Sequence, residues 1–410
     1  MKVLMFGWEF PPFNTGGLGT ACYGLTRGLH KKGTEVVFVL PHADPSIKAD
    51  FVKIMPADIS KGIQKIGINS LIKGYMDSRS YYNEYQKNFI RFGNKKNSIV
   101  YGENLFEEVQ RYAQKAKDVA LLEDHDIIHA HDWMTYLAGI EAKKASGKPL
   151  VVHIHATEFD RTGDNPNQYV YDIEKKGFEF ADKIVAVSKL TKNRVIKHYG
   201  IDPNKIEVVH NAVDFNDNKF SQSDFKIKKD EKVVLFLGRI TIQKGPDYFV
   251  YAAKKVLETN PNVKFIIAGS GDMEPFIIEK VAEMGIGDKV LFTGFLRGKD
   301  IDRAYQMANL YVMPSVSEPF GITPLEAMRN NTPVLISKQS GVSEVINHCL
   351  KVDFWDIDQL ANKIISVLEY PELHECLVEN GYNEVKKFNW EIPAEKCIQV
   401  YKNMMGVKSG

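Results

Sequence analysis

The chain has 410 residues, of which 44% are hydrophobic and 26% are charged. This is the composition of an ordinary folded protein, and it excludes a disordered, collagen-like or disulfide-scaffold chain. Fifty-three Lys and Arg residues against 52 Asp and Glu residues leave a formal net charge of +1, so no overall field favours nucleic acid or an anionic membrane, and any basic site must be local.

The predicted elements, in chain order, are short apolar runs separated by amphipathic segments. Two series of such runs predict buried strands: 2–6, 35–40, 126–130, 150–155, 183–187 and 206–209 form the first series, and 232–237, 263–268, 290–293, 310–313, 333–336 and 350–352 form the second. Amphipathic stretches such as 21–32 and 103–122 predict helices. Strands that are buried on both faces and separated by helices indicate parallel sheets of the doubly wound type.

A polar segment separates the two series and marks the expected domain boundary. Residues 211–230 are rich in Asn, Asp, Ser and Lys and lack apolar periodicity. At roughly 150 residues per domain, the chain has room for two large α/β domains. Residues 44–100 are rich in Lys, Asn, Ser and Tyr and predict loops or an insertion on the first domain. Two Rossmann-like domains that face each other leave a cleft where the carboxyl ends of both sheets meet.

The cysteines and the apolar runs limit the cellular setting. No close C-x-x-C pair occurs, so we expect neither structural zinc nor a disulfide framework, and a reducing cytoplasm is the predicted compartment. The N-terminal segment lacks the apolar core of a secretory signal peptide. The longest apolar runs are far below the roughly 20 residues that span a bilayer, which leaves only peripheral contact with a membrane open. The four cysteines are Cys22, Cys349, Cys376 and Cys397.

The first chemical motif is a glycine cluster after the first strand. Gly16, Gly17 and Gly19 open a predicted helix, where backbone N–H groups can approach an anion at the positive end of the helix dipole. The spacing is not the G-x-G-x-x-G pattern of dinucleotide binding, and no acidic residue closes a strand about 20 residues later. A tight strand-to-helix turn is the alternative interpretation.

The second motif is GRITIQKG, in which Arg239 and Lys244 follow a predicted strand directly. Two cations at the carboxyl end of a strand, with no metal-binding carboxylate motif nearby, suit a diphosphate that is neutralised without Mg²⁺. Pro246 fits the first turn of the next helix. The alternative is a pair of solvated surface cations.

The third motif, SEPFGITPLEAM, contains two glutamates with different structural explanations. Thr323, Pro324 and Glu326 predict a capping box, with Thr as N-cap and Glu at the third helical position. Glu318 lies in the loop before the cap and has no such explanation. The N–H groups of Ile322 and Thr323 offer a second place for phosphate.

The fourth motif combines two strand ends in the first domain. His153 and His155 point to the same face of one strand, with His155 nearer its carboxyl edge. His131 and Asp132 end another strand, and Asp132 can also serve as the cap of the following helix. Each histidine alone is more often structural. Two such segments that open into one cleft favour a functional site.

These motifs, in this order, resemble those of a known family. GGLG, HDW, HIHATEFD, GRITIQKG and EPFGITPLE are similar to the motifs of retaining GT-B glycosyltransferases, namely glycosyltransferase family 4 and the bacterial and archaeal glycogen (starch) synthases. The resemblance covers nearly the whole chain except about 44–95. It implies an acceptor-side Rossmann-like domain over 1–213, a nucleotide-sugar-binding Rossmann-like domain over 214–385, and a C-terminal helix over 386–410 that crosses back to the first domain.

The resemblance also implies roles for residues of the second domain. Arg239 and Lys244 would hold the donor diphosphate and support the leaving group. Glu318 would bind hydroxyls of the donor sugar near the reacting carbon, and Glu326 the ribose hydroxyls. These roles need neither a metal ion nor a further cofactor.

In the first domain, the resemblance implies contacts to the transferred sugar. Asp132 and His155 would touch it, with the backbone carbonyl of His155 near the anomeric carbon, and Gly16 and Gly17 would approach the phosphates. One residue departs from the family pattern. The K-x-G-G-L signature of glycogen synthases has Asn14 in place of its lysine here, which weakens the assignment to a true ADP-glucose-dependent glycogen synthase.

The sequence therefore predicts a retaining transferase. A hexosyl group, foremost α-glucosyl, would move from a nucleotide diphosphate sugar, ADP-glucose or UDP-glucose, to a hydroxyl acceptor. The acceptor would enter from the side on which the diphosphate leaves and give its proton to that phosphate. A sugar-nucleotide epimerase and a silent sugar-nucleotide-binding module are the alternatives. An α-glucan, a lipid-linked glycan and a small metabolite all stay open as acceptors, as does the oligomeric state.

Overall fold

Two parallel β-sheets form the centre of the protein, as the two series of apolar runs predict. The structure is a computed structural model that describes residues 1–11, 16–41, 49–57, 105–163, 165–215 and 231–406. The predicted insertion over 44–100 lies mostly outside these ranges. Its described part contains one strand that the sequence analysis missed, because a short edge strand needs few apolar residues.

The first sheet has the spatial order β3-β2-β1-β4-β5-β6-β7, and all its neighbouring strands run parallel. The order reverses between β1 and β4, and in open α/β sheets ligands bind outside the carboxyl ends of the strands at such a reversal. The strands are β1 (Lys2–Phe6), β2 (Glu35–Leu40), β3 (Lys53–Pro56), β4 (Ile127–His131), β5 (Leu150–Ile154), β6 (Lys183–Ala186) and β7 (Ile206–Val208).

Helices cover both faces of this sheet, which is why most residues of its strands are apolar. The four residues from Val3 to Phe6 in β1 are completely buried. The helices are α1 (Gly17–Lys31), α2 (Leu105–Leu122), α3 (Trp133–Ser146), α4 (Glu158–Thr162), α5 (Gln168–Phe180) and α6 (Lys189–Tyr199), with a 3₁₀ turn at Pro203–Lys205.

The second sheet repeats the arrangement with the order β10-β9-β8-β11-β12-β13, again parallel throughout. Its order reverses between β8 and β11. The strands are β8 (Lys232–Leu237), β9 (Val263–Ala268), β10 (Val290–Gly294), β11 (Leu310–Met313), β12 (Val334–Ser337) and β13 (Leu350–Val352).

Two separate apolar clusters cover the two faces of this second sheet. The segment that joins the two sheets, predicted over 211–230, is described only to residue 215 and again from 231. Among the described helices, none combines the length and the apolar character needed to cross a membrane. The helices of this part are α7 (Pro246–Thr259), α8 (Glu274–Glu283), α9 (Lys299–Met307), α10 (Thr323–Arg329), α11 (Ile357–Glu369), α12 (Pro371–Val385) and α13 (Glu391–Met404), with 3₁₀ turns at Ile242–Lys244 and Gly341–Glu344.

The last helix, α13, packs against α1 of the first domain across a surface of glycines. A Cβ atom on Gly24 would lie 2.0 Å from the ring of Trp390, and one on Gly28 would lie 2.3 Å from the carbonyl oxygen of Trp390. Trp390 is 4% exposed and belongs to the apolar core of the first domain. The glycines therefore let the C-terminal segment approach α1 more closely than any other residue would allow.

This contact gives a stability prediction. Alanine favours a helix over glycine by about 0.5–1 kcal/mol, yet Gly24→Ala should lower the free energy of unfolding by about 1–3 kcal/mol, because the added methyl group overpacks against Trp390. Urea unfolding measures the change. Gly287→Ala is the matched control, since a Cβ atom there meets nothing within 4 Å. Equal stability of Gly24→Ala and the wild-type protein would contradict the close packing.

Candidate active site between the two domains

The 3₁₀ turn after β8 places a lysine in contact with a glutamate of another loop. The carbonyl oxygen of Gln243 in this turn accepts the backbone N–H groups of Val316 and Ser317 at 3.0 and 3.3 Å. The adjacent Lys244 donates from Nζ to Oε2 of Glu318 at 2.5 Å. The structure thus joins two residues that the sequence analysis selected from separate motifs.

The turn ends at a glycine, and it lies close to both Arg239 and Lys244. Gly245 has a φ of +63°, and a Cβ atom there would meet the carbonyl oxygen of Pro314 at 2.3 Å. Only glycine fits this position without strain. Arg239, which directly follows the end of β8 and Gly238, donates to the side-chain oxygen of Gln243 at 3.2 Å. Arg239 and Lys244 are therefore held on either side of Gln243 at the carboxyl end of β8.

The loop that carries Glu318 is fixed by backbone hydrogen bonds. The N–H group of Glu318 donates to the carbonyl of Gln339 at 3.0 Å, and its own carbonyl accepts from Gly341 at 2.8 Å. Its carboxylate also accepts from the Ser315 hydroxyl at 3.3 Å, and its side chain is 8% exposed. A buried carboxylate beside one lysine gives the site a fixed direction for binding a hydroxyl or a cationic centre.

The predicted capping box at α10 is wrong. The described helix begins at Thr323, with Ile322 in the N-cap position, and no side chain makes a capping hydrogen bond there. Two tyrosines take the two side-chain oxygens instead. The Tyr311 hydroxyl donates to Oγ1 of Thr323 at 2.8 Å, and the Tyr305 hydroxyl donates to Oε2 of Glu326 at 3.1 Å.

The environment of Glu326 also changes its acidity. Burial raises the pKa of the Glu326 carboxyl group, while Arg329 and the hydrogen bond from Tyr305 act in the opposite direction. The capping explanation for Glu326 is thereby removed, and its carboxylate is free of a backbone role within the described helix. The ribose-binding role of Glu326 stays a prediction from the family resemblance.

In the first domain, Asp132 holds the turn that follows β5. Asp132 is completely buried and has a φ of +60°, an unusual backbone conformation for a residue other than glycine. Its Oδ1 accepts the N–H group of His155 at 2.7 Å and that of Ala156 at 3.4 Å. The alternative role as a side-chain cap of α3 has no supporting hydrogen bond. Asp132 and His155, predicted from two separate strands, are in direct contact.

Four histidines of β4 and β5 and of the turn after β5 form a stack beneath this site. Neighbouring rings lie 4.3–5.4 Å apart between centroids, with planes 9–31° from parallel. His153 and His155 share one face, as predicted. Nδ1 of His131 and Nε2 of His155 are hydrogen-bonded at 2.9 Å, and Nδ1 of His129 lies 2.6 Å from the Tyr401 hydroxyl of α13.

Burial keeps these histidines neutral. It lowers the pKa of all four imidazoles, that of His129 to about 3. Within the described residues, Nε2 of His129, Nε2 of His131 and both ring nitrogens of His153 have no hydrogen-bond partner. The free-energy cost of desolvating a charged imidazolium is therefore larger than the interactions that would stabilise it, and the neutral form is favoured.

The stack also supplies the described side chains that come closest to a metal-ligand set. The atoms of Cys22, His131 and His155, and those of His129, His131 and His153, lie within 4.8 Å of one another. The near-parallel ring planes are those of side chains packed against one another.

The glycine pair at the start of α1 faces open space among the described residues. The helix begins at Gly17 with Gly16 as N-cap, and a Cβ atom on either would meet nothing within 4 Å. One N–H group of the first turn is already occupied, since Gly19 donates to the buried Glu9 carboxylate at 2.9 Å. The sequence analysis missed Glu9. Asn14, the residue that departs from the family signature, lies outside the described residues.

The two halves of the site are connected by residues that the sequence analysis did not select. Asp160 of α4 accepts a hydrogen bond from the Ser317 hydroxyl at 2.6 Å, and Arg194 of α6 donates to both residues. The Thr191 hydroxyl of α6 donates to the carbonyl of Pro319 at 3.3 Å. No short motif predicts these contacts, because those between the two domains join residues more than 120 positions apart in the chain.

Two family models match the chain, one for each domain. The model described as Glycosyltransferase Family 4 matches residues 15–217, and the model described as Glycosyl transferases group 1 matches residues 217–384. The uncharacterized glycosyltransferase MJ1607 of Methanocaldococcus jannaschii is 31% identical over 99% of this chain and 100% of its own. A glycogen synthase of Mycobacterium tuberculosis is 25% identical over 98% of this chain and 94% of its own.

Solved structures share the arrangement of the two domains. Sucrose-phosphate synthase from Thermosynechococcus elongatus has a TM-score of 0.78 at 20% identity, covering 99% of this chain and 100% of its own. Anabaena HepE in complex with UDP and glucose has a TM-score of 0.71 at 19% identity, covering 98% of this chain and 100% of its own. With matches to both family models and a full-length relative above 30% identity, the chain belongs to glycosyltransferase family 4 and has the GT-B fold.

Proposed function

We propose that this glycosyltransferase moves a hexosyl group, foremost α-glucosyl, from a nucleotide diphosphate sugar to a hydroxyl acceptor with retention of the anomeric configuration. The observation that carries the proposal is the contact between Lys244 and Glu318 beside Arg239, at the carboxyl end of β8. Two similar proteins favour a nucleotide-activated glucosyl donor: HepE, which binds UDP and glucose, and the glycogen synthase of M. tuberculosis.

The proposed chemistry is mainly electrostatic. Arg239 and Lys244 would bind the two phosphates, where negative charge grows as the glycosidic bond breaks, and interactions that strengthen in the transition state accelerate the reaction. Glu318 would orient the sugar hydroxyls near the reacting carbon. The acceptor hydroxyl would form the new bond on the face that the diphosphate leaves and pass its proton to a phosphate oxygen.

The remaining predicted residues complete the proposed donor site. Gly16 and Gly17 would approach the phosphates from the first domain, and the start of α10 at Ile322 and Thr323 would do so from the second. The ribose would lie against Glu326. The turn of His155, held by Asp132, would present its backbone carbonyl to the transferred sugar.

A donor panel tests the proposal. ADP-, UDP- and GDP-sugars are incubated with glycogen, short maltooligosaccharides and small polyols, and the released nucleoside diphosphate is quantified. We expect one glucosyl donor to react fastest, and proton NMR of the product should give the α-anomeric coupling. The β-anomer, or C2 epimerisation of UDP-N-acetylglucosamine without an acceptor, would refute a retaining transferase. The cytoplasmic location predicted from the scattered cysteines is outside this test.

Metal dependence gives a second check on the donor site. We propose that side-chain cations neutralise the diphosphate, so transfer should continue at an unchanged rate in excess EDTA. Initial rates before and after chelation measure this. Loss of activity that Mn²⁺ or Mg²⁺ restores would contradict neutralisation by Arg239 and Lys244 alone.

A further inference from the structure

The loop that carries Glu318 is held from the opposite domain at both of its neighbouring residues. On one side of Glu318, the Ser317 hydroxyl donates to Oδ1 of Asp160 at 2.6 Å and accepts from Arg194 Nη1 at 2.5 Å. On the other side, the carbonyl of Pro319 accepts from the Thr191 hydroxyl at 3.3 Å. The position of Glu318 therefore depends on α4 and α6 of the first domain as well as on its own sheet.

The two carboxylate oxygens of Asp160 have different partners: one accepts hydrogen bonds within the first domain only, and the other also accepts one from the second domain. Oδ2 accepts from the N–H group and the hydroxyl of Thr157, at 2.8 and 2.7 Å, and so builds the capping box of α4. Oδ1 accepts from Ser317 and Arg194. Since α4 starts three residues after His155, one side chain links the turn that carries His155 to the loop that carries Glu318.

The burial of this cluster makes the contact conditional on domain closure. Asp160 and Ser317 are 3% and 6% exposed, and a buried charged network is favourable only when every member has its partner. Removing either Asp160 or Ser317 leaves Arg194 without one of its two partners in this cluster. If the domains separate, water must replace the hydrogen bonds that Ser317 makes with Asp160 and Arg194. The cluster therefore stabilises the closed state only when all three residues are in contact.

We propose that Asp160, Arg194 and Ser317 form a closure latch that positions Glu318 against Lys244 when the two domains close. These are positioning residues, since the structure places their contacts with one another and with the loop, and Glu318 keeps the contact with the donor. The inference rests on the proposed function for its effect on catalysis. The latch predicts that turnover depends on the cluster, while affinity for the nucleoside diphosphate, which binds mainly to the second domain, does not.

Ser317→Ala and Asp160→Asn test the latch, with turnover, donor KM and Kd for UDP and ADP measured for each. We expect Ser317→Ala to lower kcat about 10-fold and Asp160→Asn by more, with Kd changed less than 2-fold. Ser317→Thr keeps the hydroxyl and should recover most of the rate. The matched controls Ser366→Ala and Asp182→Asn remove a hydroxyl and a carboxylate whose hydrogen bonds stay within one domain, and should keep the wild-type kcat.

Domain closure is measured independently of activity. Cys376 is exposed in the second domain, whereas the other three cysteines are buried, so one dye can be attached there and a second to Glu141→Cys in α3. Energy transfer between the dyes should report a closed population in the wild-type protein and a shift to longer distances in Ser317→Ala and Asp160→Asn. UDP and ADP should leave this shift unchanged, because a ligand whose affinity does not depend on closure does not change the closed population.

The outcomes separate the latch from the proposed function. Wild-type kcat and wild-type energy transfer in both variants would overturn the latch, as would a lowered melting temperature with unchanged kcat, because that pattern is purely structural. If no sugar nucleotide reacts with the wild-type protein, the proposed function fails, and the energy-transfer measurement still decides whether the cluster closes the domains.

Discussion

Replacing Glu318 with glutamine should lower turnover about 10²-fold or more, if its charge-assisted contact strengthens in the transition state. The change removes the negative charge that lies 2.5 Å from Lys244 Nζ. Stability should change little, because Gln still accepts a hydrogen bond and the Lys244 side chain keeps 20% of its surface exposed. Initial rates with the preferred donor, set beside thermal melting, measure the two effects.

Glu326→Gln is the matched comparison for Glu318→Gln, since it removes the same charge from the neighbouring glutamate. It should keep turnover at saturating donor near the wild-type value and weaken nucleoside diphosphate binding, by roughly 1–2 kcal/mol for a lost charged hydrogen bond. Calorimetry gives that affinity. Wild-type turnover in Glu318→Gln would contradict the proposed role of Glu318 in catalysis.

Acidification below pH 6.5 should reduce the contribution of the stacked histidines to the stability of the protein. The four stacked histidines have a lowered pKa in the folded state, about 3 for His129, against about 6.5 in the unfolded chain. Between these values the unfolded chain binds protons that the folded protein does not, so stability falls as the pH falls. At about 1.4 kcal/mol per pH unit, His129 alone should account for a loss of about 2 kcal/mol between pH 6.5 and 4.5, and the other three histidines act in the same direction.

Urea unfolding at several pH values tests this loss. Carboxyl groups act in both directions here: Glu391, whose pKa is lowered by Lys31 and Lys32, loses its contribution only at lower pH. Glu174, whose pKa burial raises to about 7, opposes the histidines in the same window, so each variant is compared with the wild-type protein. His129→Gln keeps an acceptor for Tyr401 and removes one titrating group, so its slope should be shallower by about 1.4 kcal/mol per pH unit. The same slope in His129→Gln and in the wild-type protein would refute a neutral, buried His129.

The parallel sheets were predictable from the sequence because buried strands must be apolar on both faces, as in the residues from Val3 to Phe6. The residues at the strand ends were also predictable, since a parallel sheet brings its carboxyl ends to one edge. Asp132 and His155, and Lys244 and Glu318, are each in contact for this reason.

Contacts that depend on tertiary packing were not predictable in the same way. Thr323 and Glu326 have the spacing of a capping box, but Tyr311 and Tyr305 approach from β11 and α9 and take their oxygens. Local sequence patterns contain no information on such competitors. Ser317 and Asp160 likewise look like ordinary polar residues until the fold brings them together from 157 positions apart.

The packing of α13 onto Gly24 and Gly28 bears on the order in which the chain becomes folded during synthesis. The first sheet is finished when residue 208 has been made, but Trp390 and Tyr401, which close its apolar core and contact His129, are added almost 200 residues later. The first domain therefore leaves the ribosome before α13 can cover Gly24 and Gly28. This surface of α1 stays exposed until the second domain and α13 have been synthesised. A chain whose synthesis stops within the second domain would have a first domain that lacks Trp390 and Tyr401 in its apolar core. We expect such a chain to expose apolar surface and to bind chaperones.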